Sequence, residues 1–123
     1  MTLRDLHADF AWVVVGANAA VGVWALAAHW VERLRTRQLW WATVAAEVTI
    51  VLQVVLGVAL VAGQDVEVEE FHAFYGFVAL ATIGIVYSYR HQLRPHLYLL
   101  YGLGGLFLMG LALRAITISP VPR

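Results

Sequence analysis

The chain has 123 residues, of which 62% are hydrophobic and 13% charged, with a mean hydropathy of +0.76; this is room for one domain and too little polar surface for a soluble one. Eight basic and eight acidic side chains cancel, and they fall in short clusters between long apolar runs, so no cationic surplus exists to bind nucleic acid. The lack of cysteine excludes disulfides, thiolate metal sites, iron–sulfur clusters and Cys-linked haem, leaving His, carboxylate, Arg, Tyr or Met to hold any cofactor.

Four apolar stretches predict helices over about 10–30, 39–62, 71–89 and 97–118 within a single domain spanning 1–123. At about 1.5 Å rise per residue each can cross the roughly 30 Å hydrocarbon layer. The β-branched runs at 13–15 and 48–51 favour strand in water, but in lipid a lone strand leaves its amides unpaired, so helix is expected. The first stretch follows neither a basic n-region nor a small-residue cleavage site, and it is expected to remain in the mature protein.

The connections differ sharply in sign. Glu32 with Arg33, Arg35 and Arg37 makes the first net positive, Asp65, Glu67, Glu69 and Glu70 make the second acidic, and Arg90 and Arg94 make the third basic. Short arginine-bearing loops are retained inside, which predicts cytoplasmic loops at 31–38 and 90–96 and both termini outside, in a cell membrane of the prokaryotic cytoplasmic type. Trp30, Trp40, Trp41, Tyr87, Tyr89 and Tyr98 fall near the inner interface, and Pro95, Pro120 and Pro122 stand as helix boundaries. With linkers this short the expected architecture is all-α, a polytopic membrane protein built as an up-down-up-down bundle of four transmembrane helices. Gly16, Gly22, Gly57, Gly76, Gly84, Gly102, Gly105 and Gly110 are expected at close helix approaches. Echoes of 6–12 in 71–77 and of 56–60 in 109–113 suggest a two-plus-two hairpin duplication, but their offsets of 65 and 53 differ, and chance similarity between apolar segments is the other reading.

Polar residues inside hydrocarbon are costly and therefore informative. Glu47 is expected deep in the second helix, with Asn18 and Gln53 at comparable depth nearer the outer side and Thr43 and Thr49 one turn before Glu47 and Gln53. Two readings are open: a proton or cation site, or a carboxyl that ties helices together as polar glue. His7 and His72 begin the first and third helices, which are diagonal in a sequential four-helix bundle, so the two imidazoles can face each other as axial ligands of a b-type haem. Gly76 would leave room for the porphyrin edge, and Arg114 would pair with a propionate. Against this stands a plain interfacial reading, in which Arg114 snorkels or pairs with Glu69 or Glu70 and Gly76 serves packing.

Glu69 and His72 also have the i, i+3 spacing of a carboxylate–imidazole metal motif, with Asp5, His7 and Asp9 as further donors, but the set is incomplete. His29, His91 and His96 lie among arginines at the inner boundary, where anionic lipid headgroups are the expected contact. Ser-His-Asp order, a glycine-rich phosphate loop and His-Glu-x-x-His are all missing from the sequence, so the enzyme class left open is a haem-dependent membrane oxidoreductase.

In size and helix number the chain resembles the small multidrug transporters, a likeness of architecture alone; their resemblance implies a dimer working around a membrane carboxylate, although here the carboxylate lies in the second helix. Three functions follow: a small subunit or accessory protein of a membrane complex, of the respiratory kind, in contact with other membrane subunits or with itself; a bis-His haem b electron carrier linked to quinone; and a proton-coupled dimeric transporter using Glu47.

Overall fold

A capping box starts the first helix: the Thr2 hydroxyl accepts from the Asp5 amide and the Asp5 carboxylate accepts from the Thr2 amide, satisfying two orphan donors reciprocally. The computed structural model describes residues 2–64 and 67–118, so Asp65 of the acidic connection and Pro120 and Pro122 lie outside the described residues. Four helices make up the fold: α1 (Leu3–Trp30), α2 (Arg37–Gln64), α3 (Glu70–Ser88) and α4 (Leu97–Thr117). It is all-α, and each helix is long and apolar enough to cross a membrane. Helix α1 begins at Leu3 rather than near residue 10, because the cap carries the helix through the charged residues ahead of the apolar run. His7 therefore stands in the second turn of α1 and not at its start.

The connections are tied down locally. After α1 the chain makes a short 3-10 turn, Glu32–Leu34. Arg35 then folds back, donating from Nε to the Ala28 carbonyl at 2.7 Å and from Nη2 to the His29 carbonyl at 2.8 Å, a cationic cap on the last turn of α1. Glu69 caps α3, accepting from the His72 amide at 3.0 Å. Pro95 sits in the 3-10 turn Arg94–His96 immediately before α4, where its missing N–H costs nothing.

Helix α1 packs most extensively on α4, then on α2; α4 also carries α3, while α2 and α3 barely touch. The α1–α4 contact is backbone against backbone. A Cβ on Gly22 would lie 2.8 Å from the Leu106 nitrogen, one on Gly102 2.7 Å from Leu26 Cα, and one on Gly105 2.8 Å from Gly22 Cα; only glycine fits there. On α4, Gly104 receives Val86 of α3. By contrast Gly16, Gly76, Gly84 and Gly110 face open space, which corrects the expectation that every intrahelical glycine marks a helix contact.

One apolar cluster draws on all four helices through Val14, Ile50, Ala79, Leu108 and Leu111. A second, at the other end, joins Ala25, Ala28 and Leu39, with Trp24 and Tyr101 against it. Outside, large apolar side chains are exposed along every helix, among them Trp12, Val23, Val48, Val55, Phe74, Phe77 and Phe107, whereas Asn18 and Thr43 are buried. A water-soluble fold has the opposite distribution.

Candidate functional site

His7 from α1 and His72 from α3 meet between helices that otherwise make little contact. Their ring centroids are 6.2 Å apart and their planes stand at 70°. Each ring has its own support. Nδ1 of His72 lies 2.8 Å from the Ala115 carbonyl of α4; with Nδ1–H donating there, the lone pair of Nε2 is left free. His7 rests on α2 where Gly57 lacks a side chain, its Cε1 only 3.1 Å from where a Cβ would stand. Gln53 of α2 donates to the His7 backbone carbonyl at 2.6 Å. Nδ1 of His7 and Oε1 of Gln53 are buried without a hydrogen-bond partner, and such groups call for an explanation.

The remaining candidates for this site fall around it. Gly76, one turn beyond His72, faces open space. Arg114 is exposed and, with Glu69, Phe71, Tyr75 and Ile118, lines a groove of about 260 Å³ between α3 and α4. Glu69 is the N-cap of α3, and its carboxylate accepts from the His72 amide. Among the described residues no three His, Asp or Glu side chains converge as a metal-ligand group.

Glu47 lies elsewhere, roughly 15 Å along α2 from Arg37. It faces a cavity of about 10 Å³ together with Asn18, Thr43, Ile83, Val86 and Tyr101. Asn18 is engaged in joining α1 to α2, its Nδ2 donating to Val14 at 2.9 Å and to the Ala46 carbonyl at 3.4 Å. Thr43 and Thr49 bond back to carbonyls of their own helix. Gln53, grouped with Glu47 from the sequence, is placed against His7 instead. At the far end of the fold the rings of His29 and His96 approach to 6.1 Å, His29 stands edge-on to Trp30, and His91 meets the Arg94 guanidinium.

Sequence reasoning did not single out Ala115 or Tyr101, and saw Gly57 only as a packing glycine. Ala115 carries no sequence signal, since any residue offers a carbonyl; Tyr101 was hidden among the aromatics of its helix. Comparison with family models, curated proteins and solved structures returns no match. The class defined by fold and site is thus an all-α protein of four membrane-length helices carrying a supported imidazole pair at one end.

Proposed function

We infer that this chain is an integral membrane protein which holds a b-type haem between His7 and His72 and serves as a small electron-transfer subunit of a membrane complex. Membrane insertion is supported by the outward-facing apolar side chains with Asn18 and Thr43 inside. An up-down-up-down course is supported by the register of contacts: His7 meets Gln53 while Asn18 meets Ala46, Gly105 meets Gly22 while Gly102 meets Leu26, and His72 meets Ala115 while Val86 meets Gly104. In each pair the two helices run in opposite senses. The arginine loops then lie in the cytoplasm, with the imidazole pair toward the outer face.

The observation that carries the haem reading is that His7 and His72 come together from two different helices while the Ala115 carbonyl engages Nδ1 of His72 and leaves its Nε2 available as a ligand. Three features support this reading: Ala115 engages Nδ1 of His72, Gly57 leaves room on α2 for the Cε1 edge of His7, and Gly76 is open one turn beyond His72; Arg114, which shares a groove with Glu69, would be the cation for a propionate. The haem would supply reversible one-electron chemistry at iron; the protein's part is to orient His72 through Ala115 and to tie the His7 backbone to α2 through Gln53.

Full-length protein purified in mild detergent from haem-replete cells is expected to show a Soret band, with reduced α and β bands of a low-spin b haem. His7→Ala and His72→Ala should each lose the low-spin spectrum. A colourless wild-type preparation, or a low-spin spectrum unchanged in both variants, rejects the assignment. Co-purification of stoichiometric membrane partners tests the subunit role.

A further inference from the structure

Asn18, Thr43, Thr49 and Gln53 each bond a backbone carbonyl, but among the described residues no hydrogen bond or ion pair reaches the Glu47 carboxylate. It sits roughly 15 Å from one end of α2 and 25 Å from the other, so neither interface is within reach of its short side chain. The cavity it faces, about 10 Å³, is the size that one water molecule requires. All four helices wall that cavity: Asn18 and Val21 from α1, Thr43 from α2, Ile83 and Val86 from α3, Tyr101 from α4. Tyr101 is the titratable side chain among them, and α1 and α3 bring no charge. Because α2 and α3 barely pack and Glu47 is only half-buried, the carboxyl opens toward the apolar surround rather than into a sealed core.

A carboxylate in hydrocarbon without a countercharge or donors is not a packing device; glue requires a partner to hold. We propose that Glu47 is a proton-binding site within the bilayer, taking up a proton on its carboxylate and returning it through one water lodged between it and Tyr101. The chemistry is a simple transfer, carboxylate plus hydronium to carboxylic acid plus water, with no redox partner. Independent of the imidazole pair, the site uses none of its residues.

The test is carbodiimide labelling of the full-length protein in lipid vesicles, read by peptide mass spectrometry. Membrane-soluble dicyclohexylcarbodiimide, which the protonated acid activates by proton transfer before the carboxylate adds to its central carbon, is expected to modify Glu47, a water-soluble carbodiimide to spare it, and labelling to fall as pH rises. Tyr101→Phe is expected to shift the pH at which labelling is half-lost. Glu47→Gln abolishes the adduct and leaves the haem spectrum intact, so failure here and failure of the haem reading are separable. No adduct at Glu47 in the wild type, equal labelling by the water-soluble reagent, or labelling independent of pH overturns the proposal. Protection by sodium at constant pH also overturns it, by assigning the site to a metal cation.

Discussion

At the scale of single residues, the imidazole pair depends on groups outside the two rings. Gly57 is the sharpest case: a Cβ there would lie 3.1 Å from His7 Cε1, so a methyl group needs the ring to give slightly and a branched side chain needs it to move further. Gly57→Val is expected to lower haem occupancy several-fold while the helical circular dichroism stays at the wild-type level; an unaltered spectrum would show that the ring does not need this bed. Asn18 tests a different role. Its link to the Ala46 carbonyl is an interhelical hydrogen bond of the sort worth about 0.6–2 kcal/mol in a bilayer protein. Asn18→Ala should therefore lower the unfolding midpoint in detergent modestly and leave the haem spectrum unchanged. The residue types were legible in the sequence: histidines near the beginnings of the first and third helices and, apart from them, a glutamate well inside the second. Gln53 was legible as polar but not as a neighbour of His7, because depth along a helix is readable from position whereas the rotation of one helix against another is not.

For the elements, the decisive contact is α1 on α4. Gly22, Gly102 and Gly105 bring two backbones together, and a methyl group at any of them meets main-chain atoms at 2.7–2.8 Å. Main chain cannot rotate away as a side chain can, so overpacking here separates whole helices. Gly102→Leu is expected to destabilise by at least the roughly 1–3 kcal/mol of an overpacked core, read as a marked fall in thermal midpoint in detergent. Gly110→Ala, which faces open space, should be neutral or stabilising by about 1 kcal/mol through helix propensity. Equal effects of the two would refute the assignment of the contact. From the sequence these glycines were equivalent candidates; their difference arises from which side of α4 turns toward α1.

Across the whole molecule, the distribution of charge sets the proposed orientation. With basic connections at one end and an acidic one at the other, the proposed orientation has the imidazole pair toward the outer face. The absence of cysteine makes this measurable with single additions: in intact cells an impermeant maleimide is expected to label Glu67→Cys and spare His91→Cys, and the reverse pattern would invert the topology. Helix number and apolar character were determined by composition and run length alone, because water and hydrocarbon partition side chains regardless of which helix meets which. Glu47 was likewise marked by chain position. Only the tertiary structure decided that α1 joins α4 and scarcely any contact joins α2 to α3, that His7 reaches His72 and Gln53, and that Glu47 faces a water-sized cavity beside Tyr101. The reason is physical: in an apolar surround every face of a helix is nearly equally apolar, so the pattern of hydrophobicity does not select a packing face, and backbone proximity at glycine and a few hydrogen bonds select it instead.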